Sequence, residues 1–357
     1  MFLNRGKNRE IISNLAVYGI AHAFIDATCA AIAFALLALK AVSQEYFITL
    51  VVIYNVIAFG SQPLFGLLTD KYKIPKLAAI TGAVITAIAA FIAFQNPLSA
   101  AIIAGLGNAL FHVGGGTICL NLTRKKAAAP GIFVAPGAIG ILIGTLIGKS
   151  GNFIAWPIIA ITAGLSILIY KTRQPEIDYR RDRRINPNYF ELTILLVLLA
   201  VVARSLIGSA IALPWKSNLA LLIILTAGVS LGKALGGILG DKFGWTRTAV
   251  SSLAISAPLL AFGANNPCLA IIGMFLFNFT MPITLTAIAN IIPGRPGFSF
   301  GLTTLALIIG VLPTYTPMKA FFSNNLSVLI AIIFSTIILF FGLKLYSLKQ
   351  KTQQKWL

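Results

Sequence analysis

The stretches FGLLTDKYKIPK (Phe65–Lys76) and GGILGDKFGWTR (Gly236–Arg247) are nearly one sentence written twice, each directly after a long apolar run. In both, a glycine (Gly66, Gly237) is followed four residues later by an aspartate (Asp70, Asp241) and then at once by a lysine (Lys71, Lys242). Aligning the aspartates also places Gln62 on Lys233, so the match runs back into the apolar run itself. The repeat predicts a chain built from two related halves.

What surrounds the repeat says where it operates. The 357 residues are 58% hydrophobic and only 10% charged, with a mean hydropathy of +0.90, far more apolar surface than a water-soluble core of this length hides. About twelve nearly uncharged runs reach the roughly 20 residues that cross a bilayer core. They lie near 11–39, 44–69, 74–95, 97–121, 128–149, 152–171, 189–213, 217–240, 245–263, 266–292, 297–318 and 323–346. The reading is an all-α polytopic membrane protein with about twelve transmembrane helices in two pseudo-symmetric six-helix halves, 1–171 and 189–357, joined by a cytoplasmic linker at 172–188. The first run follows Arg5, Lys7 and Arg9 but is too long for a signal-peptide core, so it is read as the first span. Cys29, Cys119 and Cys268 all fall inside spans and are read as small apolar packers.

The net charge of +19 is distributed by side. With the amino terminus in the cytoplasm, 22 of the 28 Lys and Arg fall in the tails and even-numbered connections, and only Lys40, Lys149, Lys216 and Lys319 in the odd-numbered ones. That asymmetry is the positive-inside rule. It places both termini in the cytoplasm, makes anionic membrane lipids the partner of the basic loops, and removes any need for nucleic acid.

Both copies of the repeat then fall in the cytoplasmic connection after the second span of a half. Glycine lets a helix end approach its neighbour closely, aspartate can accept hydrogen bonds from a facing helix terminus, and the following cation stays with the headgroups. Such a group can act as a conformational latch, with Gly66, Asp70, Lys71, Gly237, Asp241 and Lys242 as its parts. The two copies resemble the motif of the major facilitator superfamily, and span count, linker and repeat carry the resemblance over essentially the whole chain. The second copy has Gly244 and Arg247 in place, whereas the first has Lys73 where that motif usually has glycine.

In the fifth run, Gly131, Gly140, Gly144 and Gly148 fall at the glycine spacings of a motif that resembles the antiporter mark of the superfamily. Thr145 and Lys149 stand where that motif has proline and a last glycine. Glycines at intervals of four line one helix face and allow a tight crossing with a neighbour, so ordinary packing explains them equally.

Polar residues inside spans are costly and therefore candidates for function. HAFID in the first span sets His22 and Asp26 one turn apart on one face. FHVGGG (Phe111–Gly116) in the fourth carries His112, the seventh carries Arg204, and the eighth carries Lys233, two turns from Asp241 and read as reaching for the interface. The resemblance implies that spans one, four, seven and ten line a central cavity. Asp26 is a natural proton acceptor and donor, the histidines titrate nearest neutral pH, and Arg204 either pairs with Asp26 or receives an anionic group of the substrate. FHVGGG also resembles the fosmidomycin-resistance branch, exporters of small drugs and anionic metabolites, with Val113 where that branch commonly has proline. The triple glycine is no phosphate loop, because no Lys-Ser or Lys-Thr follows it.

No nucleophile, metal cluster or cofactor motif accompanies these residues, so the chain is not read as an enzyme and needs no cofactor or metal beyond the proton gradient. The expectation is a secondary active transporter in the bacterial inner membrane, a monomer exchanging protons for a small exported organic molecule or drug. The alternative is a proton-coupled symporter taking up a small organic anion.

Overall fold

In the computed structural model of the protein, residues 5–180 and 189–354 are described, and their regular structure is helical throughout. The elements are α1 (Arg5–Ala38), α2 (Gln44–Gly60), α3 (Gln62–Tyr72), α4 (Pro75–Ile92), α5 (Pro97–Leu122), α6 (Ala128–Lys149), α7 (Ala155–Lys171) and α8 (Phe190–Ala210). They continue as α9 (Leu219–Phe243), α10 (Trp245–Phe262), α11 (Pro267–Phe277), α12 (Thr280–Ile291), α13 (Pro296–Val311), α14 (Met318–Phe322) and α15 (Asn325–Gln354).

Among the described residues, ten helical stretches are long and apolar enough to cross a membrane, counting α2 with α3 and α11 with α12 as one crossing each. The two remaining expected spans are α7, of 17 residues, and α10. Helix α10 is diluted by hydroxyls, of which those of Ser252 and Ser256 are buried and donate to the carbonyls of Ala249 (3.1 Å) and Leu253 (2.9 Å). Such local bonds satisfy polar groups where no water does. Large apolar side chains such as Trp156, Ile167, Leu195 and Ile224 lie on exposed outer faces, as lipid contact requires. The chain is an integral membrane protein of the expected all-α polytopic class.

Three runs are interrupted. The second breaks at Ser61, whose hydroxyl donates to the Ile57 carbonyl at 2.6 Å. The tenth breaks at Asn278–Phe279, where the Asn278 amide donates to the Met274 carbonyl at 2.8 Å. The eleventh leaves α-helical geometry after Val311 for a tighter turn at Leu312–Tyr315, because Pro313 has no N–H to continue the ladder.

Two compact units divide the chain. One comprises the chain up to Arg124, Ile132–Ile177 and Pro296–Gly301; the other comprises Lys125–Gly131, Asp178–Arg295 and the chain from Leu302. In the first, the start of the linker is tied down: Lys76 Nζ donates to the carbonyls of Thr172 (2.5 Å) and Tyr170 (3.2 Å), and the Asn14 amide donates to that of Arg173 at 3.0 Å. The linker's Arg-rich end, 181–188, lies outside the described residues. In the second, Leu253, Leu260, Ile283 and Ile332 form the buried centre. Cys29 and Cys119 are buried as expected, whereas Cys268, in the first turn of α11, is exposed.

Helix starts fall into two kinds. At four starts that follow odd-numbered connections the chain supplies its own cap, Ser43 accepting from Tyr46 N, Asn96 from Ser99 N, Asn218 from Leu221 N and Asn266 from Cys268 N, whereas α7 follows Ile154 and has no side-chain cap. Helix α13 follows Arg295, which caps nothing with its side chain. Its unmet N–H groups are satisfied from elsewhere, as follows.

Candidate functional site

In the first unit α1 and α5 bring three of the four candidate binding residues together. His22 and His112 meet through their Nε2 atoms at 2.9 Å, with ring centroids 4.4 Å apart and planes at 86°. Asp26 lies beside both, its carboxylate oxygens 3.2 Å from His22 Nε2 and 3.7 Å from His112 Nε2. The Asn108 amide donates to Asp26 Oδ1 at 3.0 Å and so fixes the carboxylate plane. Asn108 is a residue the sequence reading missed. It stands one turn before His112 in NALFH, and an amide inside an apolar span on the face of a histidine was the available signal.

The other ring nitrogens decide the tautomers. His22 Nδ1 lies 2.8 Å from the Phe133 carbonyl, and His112 Nδ1 lies 2.8 Å from the Asn108 carbonyl. A carbonyl only accepts, so both Nδ1 atoms carry hydrogen, and in neutral rings both Nε2 atoms present lone pairs. Two lone pairs do not meet at 2.9 Å unaided; one hydrogen between them converts the contact into a hydrogen bond, with Asp26 supplying the balancing negative charge. The contact between the rings thus has the length of a hydrogen bond with one hydrogen between the two Nε2 atoms.

The ligand atoms of these three side chains lie within 4.8 Å of one another, a spacing that admits a metal ion. The Nε2–Nε2 separation of 2.9 Å is nonetheless a hydrogen-bond length, shorter than the ~3.3 Å between two nitrogens bound to one tetrahedral zinc. Room for the cluster comes from Gly137 of α6: a Cβ there would lie 2.5 Å from His22 Nε2 and 2.6 Å from Asp26 Oδ2. Phe111 and Phe133 close the surroundings with apolar rings, that of Phe133 at 4.8 Å from His22.

Arg204, the fourth candidate, belongs to α8 in the second unit, while the partners of Asp26 just described all belong to the first. Arg204 is only 6% exposed, and among the described residues no acceptor meets its Nε or Nη2. Lys233 is half-buried on α9.

The repeated motif closes two helix starts. Asp70, in the last turn of α3, accepts from Gly297 N (3.0 Å) and Phe298 N (2.9 Å) at the start of α13. Asp241, in the last turn of α9, accepts from Ala127 N and Ala128 N, both at 2.9 Å, at the start of α6. Each carboxylate spans two orphan donors of a helix N-terminus, where the macrodipole favours negative charge. The glycines set the approach: a Cβ on Gly66 would run into the Gly297 carbonyl, and one on Gly237 into the Ala127 carbonyl. Lys71 and Lys242 turn back over the rings of Tyr72 and Phe243 at 5.3 and 5.2 Å. Lys73 takes the left-handed conformation (φ 58°) at the end of α3, and Gly244 also has positive φ (96°) at the end of α9.

Asp70→Asn removes one of two equivalent acceptor oxygens. Loss of one charge-assisted bond, about 1.5–3 kcal/mol, is expected to speed amide hydrogen exchange at Gly297 and Phe298 by roughly tenfold or more. Unchanged protection would mean that the start of α13 is held by other means.

The α6 glycines divide between two partners. Gly140 and Gly144 stand against the backbone carbonyls of Ala23 and Ala27 of α1, and Gly148 would place a Cβ 2.7 Å from that of Ala31. Gly131 instead faces the Lys233 carbonyl, 2.7 Å from where its Cβ would be. The glycines of FHVGGG also meet separate neighbours: Gly114 faces Pro75 and Ala79, Gly115 faces Phe133 and Tyr18, and Gly116 faces the ring of Phe300.

No protein-family model matches the sequence, and no curated protein matches it. Solved structures do. The chain is similar to the E. coli fucose:proton symporter FucP, with a TM-score of 0.72 at 14% identity, over 94% of this chain and 99% of that one. It is also similar to a structure of FucP described as a major facilitator superfamily transporter in the outward conformation, with a TM-score of 0.64 at 15% identity, over 92% and 99%. Structural likeness at this identity establishes the fold alone.

Proposed function

We propose, from the premise that this chain has the major facilitator fold, that it is a proton-coupled secondary transporter moving a small organic solute across the membrane by alternating access. The observation that carries the reading is the Nε2–Nε2 contact of His22 and His112 beside the Asp26 carboxylate. Three titratable groups held in a buried cluster by carbonyls, an amide and a glycine are costly in a membrane interior and useful for taking up and giving back a proton. Proton release frees the Nε2 lone pairs to part, a small motion of α1 against α5 that a rocking carrier can amplify. The carboxylate caps at Asp70 and Asp241 act in this reading as latches that hold one conformation and release in the other. Both termini face the cytoplasm, where the basic connections meet anionic headgroups.

Symport is the direction the residues favour. Asp26 takes its proton-site partners from its own unit, so the proton needs no substrate group to displace it, and both can be aboard together. The name of FucP, a fucose:proton symporter, agrees with this. Antiport is the second reading, carried by the glycine spacing of α6. Purified protein in liposomes with an imposed pH gradient separates them when a panel of small sugars, carboxylates and drugs is added outside. A symported compound carries protons inward and raises the external pH, whereas an antiported one lowers it. A panel that moves without any pH response would overturn proton coupling.

A further inference from the structure

Arg204 is a buried cation of α8 that the contacts described above do not engage. It lies in the second turn from the end of α8, is nine-tenths buried, and has Nε and Nη2 without an acceptor among the described residues. These two nitrogens form one straight edge of the guanidinium, the edge whose parallel N–H groups match the two oxygens of a carboxylate or phosphonate. A buried, uncompensated cation is among the most costly features a membrane protein carries, so its retention calls for an anion that arrives. A second observation marks the same level of the second unit. A Cβ on Gly208, one turn beyond Arg204 on the same face, would lie 3.5 Å from the ring of Phe277, where α11 gives way to α12 at Asn278–Phe279. Interrupted membrane helices are tolerated where they line a binding cavity, and their free ends serve solutes there.

We infer that Arg204 is the receptor for an anionic group, and that the transported solute is a small organic anion bearing a carboxylate or phosphonate held side-on by Nε and Nη2. This rests on the transport reading and specifies its substrate class. A symported proton would then offset the anion's charge, so that solute and proton cross as a neutral pair.

The test is binding, so it stands whether or not coupling is as proposed. Protein in phosphatidylcholine nanodiscs is melted with acetate, lactate or methylphosphonate, with glucose and choline as neutral and cationic controls. At least one anion is expected to raise the Tm of the wild type, and neither control to do so. Arg204→Lys, which keeps the charge but loses the planar edge, is expected to need about 10- to 100-fold more anion for the same shift. Arg204→Leu is expected to lose the response and, without ligand, to melt higher than wild type, because an uncompensated buried charge has gone. The assignment is overturned if no anion stabilises the wild type, if Arg204→Lys responds equally, or if ligand-free Arg204→Leu melts lower. A response abolished by including phosphatidylglycerol in the discs gives the site to a lipid headgroup and overturns the substrate assignment.

Discussion

Asp26→Asn is expected to reduce pH-gradient-driven transport to the level of protein-free vesicles while leaving exchange of substrate for substrate measurable. Asparagine copies the shape of the carboxylate, and its carbonyl oxygen still accepts from the Asn108 amide. Its amide nitrogen, however, faces His22 Nε2, now 3.2 Å from a carboxylate oxygen, and donates to that lone pair permanently. The shared hydrogen between the two rings then loses both its place and its counter-charge. His22 and His112 remain neutral, the cluster can no longer load or unload a proton, and the gradient has nothing to act upon. Exchange needs only the rocking motion with substrate aboard, which does not consume a proton. Parallel assays of driven uptake and counterflow check the pattern. Undiminished driven uptake would remove Asp26 from the coupling site, and equal loss of both activities in a protein that still melts normally would make it structural.

The histidines and Asp26 were legible in the sequence for a simple reason. Polar side chains inside apolar runs are few, and helical periodicity alone puts His22 above Asp26. That His112 joins them is a tertiary fact, set by the pairing of α1 with α5, and the sequence offered only its isolation in a span. Within its own unit Asp26 meets His22, His112 and Asn108, and periodicity contains no information about which distant histidine or amide a carboxylate meets. Asn108 escaped notice because an amide in a membrane helix is less conspicuous than a charge. The duplicated motif was readable down to the chemistry of its aspartates. What they cap, the starts of α13 and α6, was hidden in an absence, since Arg295 and Ala127, directly before those helices, have no side-chain acceptor of the kind Asn96, Asn218 and Asn266 provide elsewhere. Span edges were less legible. Ser61, Asn278 and Pro313 break runs whose hydropathy is continuous, because hydropathy reports the solvent and the breaks report local hydrogen bonding.

Replacing both Gly140 and Gly144 by alanine is expected to lower stability by about 1–3 kcal/mol per site, the range for overpacking a tight interior, and to abolish proton-driven transport in whatever protein folds. An alanine Cβ at either position would occupy the space of the Ala23 or Ala27 carbonyl oxygen, which is helix backbone and cannot rotate aside. Helices α1 and α6 must then separate. Ala23 and Ala27 each directly follow a residue of the proposed proton site, so the same separation withdraws His22 and Asp26 from His112, whose contact with His22 at 2.9 Å tolerates little displacement. Gly164→Ala in α7 supplies the control, because a Cβ there meets nothing within 4 Å and alanine is the better helix former. It should melt at or slightly above the wild-type temperature and transport normally. The comparison also separates the two readings of the glycine spacing. If the glycines serve close packing, the loss of coupling tracks the loss of Tm across Gly140→Ala, Gly144→Ala and Gly148→Ala, and any surviving activity keeps the direction of the wild type. If they serve antiport as such, coupling or direction changes while Tm holds. A double variant that melts and transports like wild type would show that α1 has slack to move, and the close approach would lose its place in the account of the proton site.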